Sequence, residues 1–212
     1  MVQQGGTRPH PSVSGALTPE ADAGRLNGMS SDQPAHSADP ACALARGEAT
    51  APGDSRADQV VVAVFDSPVA AYLLHFARDC GFGTTLLEPR GEGAVEHAGP
   101  YADRVLTAVD AQPMDDTVDV VVTDHDRPEL GAVLYDVLAT KPRWVGVMGS
   151  ARHAPPHVPA LKQLGVPSET IARVHRPIGL NIGSRSPAEI ALATLGGLIA
   201  DRRDRPGGFG FD

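Results

Sequence analysis

The chain has 212 residues, enough for one ordinary domain and some additional length. Its formal charge of −8 argues against a nucleic-acid binder, because phosphate binding needs a basic surface. No apolar run approaches the ~20 residues of a membrane helix, and the start shows no basic segment leading into an apolar core, so neither membrane nor secretion is expected.

Residues 1–58 are rich in Gly, Pro, Ser, Ala and Asp, and the first aromatic residue is Phe65. Such a segment buries too little apolar surface to offset its ordering entropy, and it is predicted to be a disordered tail. A short helix around Pro19–Leu26 is the one element it suggests. Cys42 falls in this tail, so a disulfide to Cys80 is not expected, and a reducing cytoplasm fits the chain best.

Order is predicted from Gln59. The apolar run Val60–Phe65 has the look of a strand buried on both faces of a parallel sheet. Val69, Leu73, Phe76, Ala77 and Cys80 recur at helical spacing, and Gly81 stops that helix. Thr84–Glu88 reads as a strand, Arg104–Leu106 as a short extra one, and Asp119–Thr123 as another of the buried type. Asp126–Thr140 reads as a helix with Asp126 as its cap and Glu129 three residues on. A strand over Arg143–Met148, a helix over Pro156–Gly165, a short strand at Val174–His175 and a helix over Pro187–Arg203 complete the series, with a loose tail over 204–212. Strands alternating with helices give an α/β fold, a Rossmann-like doubly wound, mostly parallel sheet with helices on both faces, over residues 59–203.

Ligands of such sheets sit beyond the carboxyl ends of the strands. That rule selects Asp66-Ser67-Pro68, Glu88-Pro89-Arg90, Thr123-Asp124-His125-Asp126 and Gly149-Ser150-Ala151-Arg152, with the Pro177–Gly183 loop expected to join them. A dinucleotide site needs a glycine-rich first loop, so that backbone N–H groups can approach the pyrophosphate. Here that loop has no glycine, Asp66 would repel a pyrophosphate, and Pro68 removes a donor; NAD(P) binding is not expected. Glu88 stands about 20 residues further on, where a ribose-binding acid belongs, against the alternative of a solvated Glu beside an Arg-containing turn.

In the third loop, His125 suits a proton carrier or metal ligand oriented by Asp124, or else the loop is a plain helix entry. Gly149 and Ser150 suit either an anion cradle, with Arg152 adding charge, or a tight strand–helix turn. His153 and His157 have the spacing of a metal pair on a helix, a premise weakened by three nearby prolines. Gly196 and Gly197 inside the last helix each cost ~1 kcal/mol relative to Ala. Close packing against a neighbour, such as a second copy in a homodimer, would compensate.

The densest backbone constraint lies in Pro177-Ile178-Gly179-Leu180-Asn181-Ile182-Gly183. It runs into Ser186-Pro187-Ala188-Glu189, a capping box with Pro at the first helical position. This stretch, with Val145–Arg152 (V-G-V-M-G-S-A-R), resembles the C-terminal Rossmann domain of the XdhC/CoxI family, maturation factors of molybdenum hydroxylases. The resemblance spans Gln59–Arg203. It implies a non-catalytic accessory protein that binds molybdenum cofactor and hands it to a client hydroxylase of the xanthine dehydrogenase or CO dehydrogenase type.

By that resemblance and the loop positions, the cofactor-binding candidates are Glu88, Thr123, Asp124, His125, Gly149, Ser150, Arg152, Pro177, Ile178, Gly179 and Gly183. Arg152, Arg176 and Arg185 are the cations suited to a phosphorylated pterin. No catalytic residue and no metal site are assigned. The sequence departs from the family in its first loop and in Ala151, where a basic residue is common, and 1–58 carry no counterpart of the family's N-terminal domain. The alternatives are a divergent NAD(P)-binding oxidoreductase and a non-catalytic regulatory scaffold, dimeric through its last helix.

Overall fold

The computed structural model describes residues 40–47, 58–109, 114–150 and 152–208. The helix expected near Pro19–Leu26 lies outside them, as does most of the segment expected to be disordered. Helix α1 (Pro40–Ala45) stands where no element was expected. Its alanines favour a helix, Pro40 suits the first position, and Gly47 at φ 68 closes it, its N–H donating to the Leu44 carbonyl at 3.0 Å. It falls in the first of two compact units, residues 1–50; the second, residues 51–212, carries every other element.

In the second unit the elements are β1 (Val60–Val64), α2 (Pro68–Asp79), β2 (Gly83–Leu87), β3 (Arg104–Leu106), β4 (Val118–Val122), α3 (Leu130–Thr140), β5 (Trp144–Val147), α4 (His157–Gln163), α5 (Ser168–Ile171), β6 (Val174–His175) and α6 (Pro187–Arg202). The six strands form one parallel sheet in the order β3-β2-β1-β4-β5-β6. Val64 lies opposite Leu87 and Val122, and Val122 opposite Val147, so four strands finish level at the carboxyl edge. The chain reverses its direction of travel across the sheet between β1 and β4, where such folds open a crevice.

The runs of β1, β4 and β5 are almost wholly apolar because alternate side chains enter different cores. Val62, Val64, Val120 and Val122 pack with Leu134, Val137 and Leu161 on one face. Val61, Ala63 and Val121 pack with Leu73, Leu74, Leu195 and Leu198 on the other. The one charge in these runs, Asp119, is fully buried at the amino edge. Its carboxylate lies 2.6 Å from Arg143 Nε and 2.6 Å from Arg202 Nε, which fastens the end of α6 to the sheet. Burial pushes the Asp119 carboxyl up against the pull of both guanidiniums, while Asp119 and Asp201 hold Arg143 above its ordinary value.

Two expectations are corrected by proline and by size. Asp126 does not cap α3, which begins at Leu130 after Glu129. Pro128 disfavours the helical region for Arg127, and a helix running through it from Asp126 is not formed. The four-residue helix α5 was not foreseen, being too short for a period to register. The capping box of α6 is formed as expected: Ser186 Oγ accepts from the Glu189 N–H, and Glu189 Oε2 accepts from the Ser186 N–H at 3.2 Å.

The Pro177–Gly183 loop does not extend the row of strand-end loops. After the cis Arg176–Pro177 peptide it turns back along α6, where the Leu180 N–H donates to the Ala193 carbonyl at 3.0 Å. Gly179 adopts φ 88, and a Cβ there would lie 3.1 Å from the Thr194 nitrogen. A Cβ on Gly197 would lie 3.2 Å from the Gly179 Cα, and one on Gly196 would meet Leu180 at 3.0 Å. The glycine pair of α6 is therefore compensated within the chain, by its own loop, and needs no second copy to explain it.

Candidate functional site

The first loop is built around two carboxylates. Phe65, expected as the last strand residue, instead takes φ 71, a left-handed conformation that costs a bulky residue of order 1–3 kcal/mol. It is held there by its buried ring, by its N–H on the Leu87 carbonyl at 3.0 Å, and by the Thr123 hydroxyl, 2.8 Å from its carbonyl. The backbone then aims the Asp66 N–H at Glu88 Oε2, 2.8 Å away.

Asp66 itself does not point into an open phosphate site. Its buried carboxylate accepts the N–H groups of Glu96, His97 and Ala98 at 2.9, 2.9 and 2.7 Å, and lies 3.0 Å from His97 Nδ1. Burial raises its pKa, but the amides and His97 outweigh that and hold it below the ordinary carboxylate value. An aspartate in place of a glycine-rich turn thus tethers the loop that follows β2.

Glu88 is fully buried, which corrects the reading of a solvated acid. Oε1 accepts from Arg90 Nε at 2.8 Å and the Arg90 N–H at 3.2 Å; Oε2 accepts from Arg90 Nη2 at 2.7 Å as well as from Asp66. Its four acceptor positions are filled. Burial pushes Glu88 up, but Arg90 and the two amides bring it below its ordinary value. The acid that would hold a ribose is committed to its own loop.

Thr123 is buried, accepts from the Ser67 hydroxyl at 3.1 Å, and ties β4 to the end of β1. Asp124 does not orient His125. Its Oδ2 lies 2.6 Å from Arg127 Nε, and its Oδ1 accepts the Asp126 N–H at 3.1 Å, an Asx turn, while His125 Nε2 lies 3.6 Å from Asp126.

Gly149 and Ser150 do not open a helix, because Pro155 and Pro156 delay α4 until His157. Ser150 Oγ accepts the Arg152 N–H at 3.1 Å, closing a local turn. Gly149 has φ 150, and a Cβ there would collide with Arg176 Nη2, so the glycine admits the guanidinium. His153 is exposed and precedes α4 whereas His157 is buried inside it, so they do not form a helical metal pair. Among the described residues no group of three or more His, Cys, Asp or Glu could hold a metal ion. Pro177, Ile178 and Gly179 line a separate cavity of about 270 Å³ beside the stacked Trp144 and His175 rings. Gly183, at φ 70, faces open space.

Sequence reasoning named Arg176 as a cation suited to a phosphorylated pterin and His157 only as one of a candidate metal pair. In the fold Arg176 Nε and Nη2 and His157 Nδ1 are all buried without hydrogen-bond partners. Burial and the nearby Arg176 charge lower the His157 pKa.

The strand order and the level carboxyl edge define a Rossmann-like α/β domain whose first loop is closed by its own carboxylates. The XdhC Rossmann domain family matches residues 61–198, and the chain belongs to that family. It is 32% identical over 125 residues to the uncharacterized protein YqeB of Escherichia coli, covering 59% of this chain and 20% of that protein. It is 24% identical over 137 residues to a probable xanthine dehydrogenase component of Bacillus subtilis, covering 62% of this chain and 39% of that protein. A crystal structure of a xanthine dehydrogenase from Bacillus halodurans shares the fold with TM-score 0.56 and 22% identity, over 72% of this chain and 45% of that one. The chain therefore spans less than half the length of each. No helix among the described residues is long and apolar enough to cross a membrane.

Proposed function

We propose that the chain is an accessory, maturation factor for a molybdenum hydroxylase of the xanthine dehydrogenase or CO dehydrogenase type, acting in the cytoplasm by binding molybdenum cofactor or its client rather than by turning over a substrate. The observation that carries this reading is family membership over 61–198 combined with a first loop whose polar groups are engaged with one another. Glu88, at the ribose position of a dinucleotide fold, has no acceptor capacity left for a hydroxyl, and Asp66, at the phosphate position, brings a negative charge where donors are needed, which disfavours the oxidoreductase alternative. The residues fit a phosphorylated pterin on one point: Arg176 Nε and Nη2, buried beside Gly149, are donors with no hydrogen-bond partner among the described residues. When bound, the cofactor would supply the redox chemistry to the client; this chain would hold and protect it.

Co-expression of a xanthine dehydrogenase-type apoenzyme with and without this chain tests the role. Higher specific activity and molybdenum content of the client with the chain present are expected. Equal activity in both would remove the accessory function.

A further inference from the structure

A cavity of about 340 Å³ opens between α4, α5 and the end of β6, apart from the cavity against α6. Its chemistry is one-sided. Among the described residues, the titratable groups that line it are His157, Lys162 and Arg176, with no carboxylate. Val158, Ile171 and Val174 supply an apolar wall and Ser168 a hydroxyl. Arg176 reaches it from the end of β6, its Nη1 donating to the His153 carbonyl at 3.0 Å and its Nε and Nη2 bonded to nothing. His157, only 3% exposed, presents a buried Nδ1 with no partner.

Elsewhere in the second unit the buried carboxylates are matched, and the other buried side-chain atoms without a hydrogen-bond partner among the described residues, Arg127 Nε, Glu129 Oε2 and Arg143 Nη2, belong to residues that do not line this pocket. Asp119 has two guanidiniums, Glu88 has Arg90, and Asp66 has three amides. Buried polar groups left unsatisfied cost of order 1–3 kcal/mol each, more when charged, and natural chains rarely carry several together unless something else completes them. Three unpartnered N–H or N groups at one basic pocket therefore describe a receptor for a negative charge. A guanidinium with Nε and Nη2 free has the paired donors that oxyanions take two at a time. Gly149 packs directly against Nη2 and Nε of that guanidinium, where any side chain would collide with it.

We infer that the pocket bounded by His157, Lys162, Ser168 and Arg176 binds a small organic anion, a phosphate or carboxylate carried on an apolar body that rests against Val158, Ile171 and Val174. The pocket shares Arg176 with the cofactor reading but does not rest on it, since its size and apolar wall are features of α4, α5 and β6 alone. His157 completes the site from α4 as a second polar contact.

Phenyl phosphate and benzoate, with phenol as the uncharged control, are titrated calorimetrically into the full chain at constant ionic strength. Saturable binding of at least one anion, none of phenol, and weakening of about tenfold or more in Arg176→Met are expected, as for loss of a charge-assisted bidentate contact. Lys162→Met, at an exposed position that cannot threaten folding, weakens the same anion by about two- to fivefold. No saturable binding of either anion, or binding that both substitutions leave unchanged, overturns the assignment. Neither result touches client activation, so the two readings fail separately.

Discussion

The two edges of the sheet handle buried charge in opposite ways. At the amino edge Asp119 meets Arg143 and Arg202 at 2.6 Å each, and Arg143 continues to Asp201 at 2.6 Å. At the carboxyl edge beyond β5 and β6, Arg176 and His157 carry buried nitrogens with no partner. The first arrangement pairs its charges within the chain and fastens α6 to the sheet, leaving Arg143 Nη2 as its one buried nitrogen without a hydrogen bond. The second is complete only with something added. Charge that holds a fold and charge that awaits a ligand are thus distinguished by whether the described residues supply an opposite charge, as Asp119 and Asp201 do for Arg143.

The comparison breaks most sharply at the amino edge. Asp119→Ala strands two guanidiniums and is expected to lower unfolding free energy by about 3–5 kcal/mol in urea denaturation. Gly179→Ala forces a side chain at φ 88 onto α6 and is expected to cost about 2–3 kcal/mol by the same measurement. Asp66→Asn, which weakens three amide contacts to residues 96–98, is expected to cost about 2 kcal/mol at neutral pH.

That substitution also changes the acid limb. Asp66 and Glu88 are held below their ordinary 3.8 and 4.5, so their contribution is fully present above those values and is lost as pH falls through the lowered ones. Urea midpoints of the parent should fall as pH drops below about 4.5, and those of Asp66→Asn should fall less. The smallest effect is the most telling. Arg176→Met removes a charge with unmet bonds, and stability should stay within about 0.5 kcal/mol of the parent or rise. A loss comparable to that of Asp119→Ala would show that the carboxyl-edge charge is structural after all.

What could be read from sequence follows from range. Val60–Val64 and Val118–Val122 were legible because burial on both faces writes itself as an apolar run, interrupted in the second only by Asp119, and Ser186–Glu189 because a capping box is local. The start of α3 was misplaced although Pro128 carried the signal in plain view. The roles of Asp66 and Glu88 were not legible: they depend on amides at 96–98 and on a left-handed Phe65 that no local rule predicts. Gly197 was seen as a cost, but its compensation sits at Gly179, in a loop whose path along α6 only the tertiary structure reveals. Arg176 was visible as a cation; that its donors are buried and unpartnered depends on where β6 ends against α4, which no local pattern encodes.

The cofactor-holding role is reached most directly by incubating the purified chain with molybdenum cofactor released from a donor enzyme, then measuring molybdenum that co-elutes with it, while NAD and NADP are titrated in parallel. Retained molybdenum near one per chain, with no heat from either nucleotide, is the result predicted. Saturable NAD or NADP binding with no molybdenum retained would contradict it.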